Sequence, residues 1–198
     1  MSSTVTRRDA IRRLAVGGAA TAALPLWVEN LLAIAGLHAH QQAKPAAAGG
    51  TWTPKVFDAQ QNETVITLSE LIIPETDTPG AKAAGVNQYI DGVLADASAA
   101  DRETFLQGLT WLDLQSRERY RNRFAEAAPE HQVAFLTELS ATAEPVPDQR
   151  RGVEFFGAIR AMTIAGYYTS EPGLLQEIGD PPQLFFAEFP GCTHPEHQ

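Results

Sequence analysis

The chain has 198 residues, 44% hydrophobic and 20% charged, with a formal net charge of −9. That length supports one domain with a sizeable core, and the acidic balance argues against a nucleic-acid surface, which needs clustered cations to neutralise phosphates. A single cysteine excludes an internal disulfide framework and a CxxC redox pair, leaving an intermolecular bridge or a free thiol.

The N-terminal stretch TRRDAIRRLAVGGAATAALPLWV places Arg7, Arg8, Arg12 and Arg13 ahead of a small-residue, mildly apolar run. This is signal-peptide architecture, and Arg7-Arg8 fits a twin-arginine export signal, so the chain is expected in the periplasm. Ala10 and Ile11 stand where bulkier residues often follow the pair, and Glu29 interrupts the run. Ala33-Ile34-Ala35 is a small-x-small cleavage site, giving an expected leader over residues 1–35. The alternative is an ordinary amphipathic N-terminal helix or a retained membrane anchor. Leu14 to Val28 falls short of the ~20 residues a spanning helix needs, so membrane contact is expected only during export or through a retained leader. Residues 36–56 then read as a linker, because HAHQQAKPAAAGGTWT is rich in Ala, Gln and Gly without periodicity. His38-x-His40 has metal-ligand spacing, but two histidines in such a tract are more often solvated. Trp52 is the expected first anchor onto a domain spanning 57–198.

Asp58 is a plausible N-cap for a helix over Ala59–Ile73, whose apolar face carries Val65, Leu68, Leu71 and Ile72. Pro74 ends it. Pro79-Gly80 turns the chain, and Val86, Ile90, Val93 and Leu94 open a second amphipathic helix over Gly85–Ala97. Asp101 precedes a long helix with Phe105, Leu109 and Leu112 on one stripe, widened by Leu106 and Trp111, expected to end near Gln115–Glu118. RERYRNRF follows, with Arg117, Arg119, Arg121 and Arg123 alternating. It reads first as a connector whose arginines pair with nearby carboxylates, second as a contact for an acidic patch on a partner.

Pro129 and Glu130 start another helix with Val133, Leu136 and Leu139 inward and Phe135 flanking. After the proline-rich loop 143–148, Asp148 can cap a last long helix. There Phe155, Ile159, Met162 and Gly166 share one face, and Phe156, Arg160, Thr163 and Tyr167 the adjacent one. Tyr167 and Tyr168 have large apolar faces with polar ends and suit either core positions or a partner surface. Ser170, Glu171 and Pro172 can start a short helix through Leu174–Ile178. No alternating β pattern exceeds four residues. The expected fold is all-α, a single compact domain of about five main helices after the N-terminal signal helix and linker, with an irregular C-terminal tail.

ELIIPETDTPGAKAAGVNQYID, together with the later GYYTSE, resembles the gluconate 2-dehydrogenase subunit 3 family. The resemblance runs from about Asp58 to the C-terminus and includes the kind of N-terminus described above. It implies a small, cofactor-free, non-catalytic subunit of a flavin-dependent sugar or polyol dehydrogenase. FAD would then sit in a glucose–methanol–choline-type catalytic partner, which passes electrons to a cytochrome c or quinone. Such partners commonly lack their own export signal and travel folded with the small subunit. The ending FFAEFPGCTHPEHQ looks closest to glucoside 3-dehydrogenase small subunits.

The tail places Phe185, Phe186 and Phe189 beside Cys192, His194 and His197. A solvated tail has no use for three phenylalanines in five residues, so these six residues, with Tyr167 and Tyr168, are the expected partner-binding set. Cys192-x-His194-x-x-His197 lacks the fourth ligand of a structural zinc site. No CxxCH, Glu-x-x-His pair, GxGxxG or GxxxxGK[ST] occurs in the chain, so neither haem attachment, a di-metal bundle site nor a phosphate cradle is encoded. The chain is not equipped as an enzyme. The rival to the subunit reading is a free-standing periplasmic binding or metal-handling module using the Cys/His tail, and co-purification with a flavoprotein separates the two.

Overall fold

The computed structural model describes residues 24–42, 52–142 and 144–178. Among the described residues there are six α-helices: α1 (Leu26–Gln42), α2 (Ala59–Ile72), α3 (Val86–Asp96), α4 (Ala99–Tyr120), α5 (Pro129–Ala141) and α6 (Pro147–Tyr168). A 3₁₀ turn at Phe124–Glu126 and a π-helical segment at Pro172–Ile178 complete it, and there is no strand among the described residues. The five helices expected after the N-terminal segment are therefore all present, and the all-α class holds.

Local chemistry explains most boundaries. Asp58 and Gln61 form a reciprocal capping box at α2, the Asp58 carboxylate accepting from the Gln61 amide at 2.7 Å and the Gln61 side chain accepting from the Asp58 amide at 3.0 Å. Ile73 closes that helix just before Pro74. Ser98 caps α4, which starts ahead of Asp101: its hydroxyl accepts from the Asp101 amide at 3.1 Å. This helix also runs past the expected end to Tyr120, where Arg121 adopts a left-handed conformation (φ +65°) that stops it. Pro147 occupies the first turn of α6 with Val146 as the cap residue, so Asp148 lies inside the helix and complements its N-terminal dipole.

The arrangement is centred on α6. It touches α1, α2, α3, α4, α5 and the π-helical segment. Both predicted faces are inside, with Phe155, Phe156, Ile159, Met162 and Tyr167 all buried. A helix approached from so many sides needs small residues where neighbours cross. Gly108 of α4 supplies one such place, since a Cβ there would lie 2.5 Å from the Phe155 ring. Gly166 supplies another, where a Cβ would come within 2.6 Å of the Tyr89 ring.

Four expectations need correction. Val133 is 53% exposed, whereas Phe135 is fully buried. Trp111, Tyr120 and Phe124 converge on the Phe135 ring at 6.1–6.4 Å between centroids, and this aromatic cluster sets the rotation of α5. Residues 36–42, read as linker, instead continue α1. His38, read as solvated, places Nε2 2.9 Å from the Asp96 carboxylate and packs edge-on to Tyr89. The anchor at the start of the domain is Phe57, which is buried, rather than the half-buried Trp52.

Gly108→Ala tests the close packing around α6. Alanine gains about 1 kcal/mol of helix propensity, but overpacking a filled core typically costs about 1–3 kcal/mol. The rigid Phe155 ring cannot move aside, so the expected result is a lower urea midpoint with unchanged helical circular dichroism.

Candidate functional site

The stretch 67–91 folds as the end of α2, a connector and the first half of α3, and two of its carboxylates, Glu70 and Asp91, are committed to backbone amides. The Glu70 carboxylate accepts from the backbone amides of Glu75 (2.8 Å) and Lys82 (2.9 Å), one oxygen to each. It thereby pins both sides of the connector to the last turns of α2. Gly80 sits directly over that carboxylate: a Cβ would collide with both Glu70 oxygens and the Glu75 nitrogen. Gly85, at φ +68°, makes the left-handed turn into α3 that glycine adopts without strain.

Asp91, 1% exposed, works in the same way over a longer range. Its carboxylate accepts from the amides of Lys55 (2.8 Å), Val56 (2.9 Å) and Phe57 (3.1 Å), fastening the start of the domain to α3. The neighbouring Tyr89 donates its hydroxyl to the Ala35 carbonyl of α1 at 2.6 Å. Burial pushes its phenol up to about 12, so it stays a neutral donor throughout the physiological range.

The two stretches that carry the family resemblance meet in space. The Tyr167 hydroxyl donates to the Pro79 carbonyl at 2.8 Å, Gly166 faces Tyr89, and the Thr163 and Ser69 hydroxyls are 3.4 Å apart. Ser170 donates to the Tyr167 carbonyl at 2.6 Å and accepts from the Gly173 amide at 3.3 Å, starting the π-helical segment. Thr78 donates to Glu177 at 2.6 Å and ties that segment back to the connector.

Tyr167, counted in the expected partner-binding set, also suited a core position. It is fully buried with its hydroxyl bonded inward, so it is a core residue. Tyr168 is half-buried and packs against the core, edge-on to Tyr167 at 5.3 Å. Arg7, Arg8, Phe185, Phe186, Phe189, Cys192, His194 and His197 lie outside the described residues.

The arginine run divides. Arg119 forms a two-pronged pair with Glu138 (2.7 and 3.2 Å) and lies 4.6 Å over the Phe135 ring. Arg123 pairs with Glu126 at 3.3 Å. Arg117 borders a small polar pocket with Asp58, Gln60 and Asp113. The connector reading thus accounts for Arg119 and Arg123. Among the described residues, no three His, Cys, Asp or Glu side chains converge as a metal site would require.

Residues 59–185 match the family described as gluconate 2-dehydrogenase subunit 3. The chain belongs to this family. Neither a curated protein nor a solved structure matches it. The match begins at the first residue of α2 and contains every contact between the connector and the end of α6 described above. As a subunit 3 family member, the chain is an accessory component of a dehydrogenase complex.

Sequence reasoning found the α2–α3 segment but not the task of its acids. Glu70 and Asp91 fall at helical positions that carry no local sign of what they bind; their partners lie 5–36 residues away. Asp91→Asn tests that role. The carboxamide keeps one acceptor oxygen and puts an NH2 donor in place of the other, so at least one of the three N–H groups loses its acceptor. An unsatisfied buried donor costs about 1–3 kcal/mol. The urea midpoint should fall accordingly, and amide exchange at Lys55–Phe57 should accelerate.

Proposed function

We propose that this chain is the non-catalytic small subunit of a periplasmic, FAD-dependent dehydrogenase of the glucose–methanol–choline type. Its partner oxidises a sugar or polyol and delivers electrons to a cytochrome c or quinone. The small subunit stabilises that partner and escorts it, folded, through the twin-arginine route. It holds no cofactor of its own; FAD belongs to the catalytic chain. Within the family, the ending FFAEFPGCTHPEHQ favours a glucoside 3-dehydrogenase small subunit.

One observation carries the reading. In the stretch that resembles the family signature, Glu70 and Asp91 hold backbone amides and Tyr167 holds a backbone carbonyl. Groups committed in this way maintain a shape and are poorly placed to exchange protons with a substrate. A rigid, acidic helical body with Arg7-Arg8 ahead of it suits an escort. The route that such a pair addresses accepts folded cargo, and a flavoprotein must take up FAD before it leaves the cytoplasm.

Replacing Arg7 and Arg8 together with lysine should strand both chains in the cytoplasm when the pair is co-expressed. Dehydrogenase activity in the periplasmic fraction is the readout, and undiminished activity there would defeat the escort role.

Docking is assigned to the tail. Its sequence carries Pro190-Gly191, a turn-forming pair, and Pro195, a residue type that restricts the backbone, beside Cys192, His194 and His197. Deleting Phe185–Gln198 should separate the subunits on gel filtration while the helical circular dichroism of the small subunit is largely kept. A truncated chain that co-purifies at full yield would move the docking site elsewhere, with Arg117 and Arg121 next in line.

A further inference from the structure

Helix α1 lies outside the family match, which begins at residue 59, and it spans the boundary at which the sequence suggests a leader ends. The small-x-small tripeptide Ala33-Ile34-Ala35 falls in its middle. Of these residues, Ala33 faces solvent and Ala35 is 1% exposed.

The helix is built into the domain. Val28 and Leu31 are fully buried, Leu31 and Ala35 belong to the main core, and Trp27, Leu32 and Ile34 pack against it. Three polar contacts fasten it along its length: Asn30 donates to Asp101 at 3.2 Å, the Ala35 carbonyl accepts from Tyr89 at 2.6 Å, and His38 meets Asp96 at 2.9 Å. The Tyr89 bond is made to the carbonyl of the amide that a peptidase would cut after Ala35, and the His38 contact lies just downstream of it.

We infer that α1 is a permanent part of the exported subunit and that leader processing occurs upstream of Leu24. This inference rests on the export reading proposed above. A chain exported in the folded state meets the peptidase with α1 already packed, and a peptidase needs its substrate extended. The bond after Ala35 is helical, with buried residues and a buried acceptor at its edge. The last Ala-x-Ala tripeptide before the helix is Ala20-Thr21-Ala22. Leu14 to Ala22 is nine residues, within the roughly 7–15 of a signal-peptide apolar region. Cleavage there is hydrolysis by a signal peptidase: the Ala22–Ala23 amide breaks, water completes the Ala22 carboxyl group, and the new amine is on Ala23. Ala35 is small for a different reason, since it is buried where α1 lies close against its neighbours α3 and α6.

The test uses the small subunit co-expressed with its catalytic partner and recovered from the periplasm. Intact mass and N-terminal sequencing should place the first residue at or before Leu24, with Ala23 expected for a processed chain. A first residue at Gly36, or anywhere within 25–42, overturns the inference. Ala33→Gln changes a solvent-facing position but destroys the downstream tripeptide. It should leave the mature mass unchanged apart from the substitution, and blocked processing would count against the inference. Hydrogen exchange on the full chain decides independently of export. Amides over Leu31–Leu37 should exchange at least ~100-fold more slowly than an open peptide, as core helices do, and open-peptide rates would overturn the proposal. A chain found only in the cytoplasm defeats the export reading alone, and the exchange result still decides whether α1 belongs to the domain.

Discussion

A helix that every other described α-helix touches constrains everything around it, and α6 is such a helix. Packed helix axes sit about 8–10 Å apart, with the near end of that range reached only where small residues meet at the crossing. Gly108 opposite Phe155 and Gly166 opposite Tyr89 provide those points. With α6 in place, α1 through α5 have little freedom. Each must present an apolar stripe to it, and α1 and α3 must also accommodate one another. Tyr89 serves both needs, with its ring against Gly166 and its hydroxyl on the α1 backbone.

The connector between α2 and α3 is the segment least able to hold itself. It is polar, carries two prolines and buries few apolar atoms, so its conformation cannot come from the hydrophobic effect. Hydrogen bonds from fixed acceptors supply it instead. Bonds to charged acceptors are worth more than neutral ones, and Glu70 binds two connector amides, those of Glu75 and Lys82. Tyr167 and Glu177 then join the connector to the chain's later helices. A motif dense in Asp, Glu and Tyr invites a chemical interpretation. Here the geometry gives the same residues a mechanical one, which fits an accessory subunit.

The sequence by itself determined the helices and where they stop. Those are local matters: the Asp58–Gln61 box, Pro74, Pro129 and Pro147 act within a few residues of themselves. It also determined the family, because the segments 67–91 and 166–171 are read in one dimension. The apolar stripes of α2, α3, α4 and α6 were legible for the same reason, being set by helical period. Tertiary structure decided what period cannot express. Phe135 displaced Val133 from the core because three rings from α4 and the following turn meet there. Tyr167 went inward because the Pro79 carbonyl, 88 residues earlier, needed a donor. Residues 36–42 became helix because α3 offered His38 the Asp96 carboxylate and Tyr89 reached the backbone beside it. In each case the deciding partner is remote in sequence, and only folding brings its energy to bear.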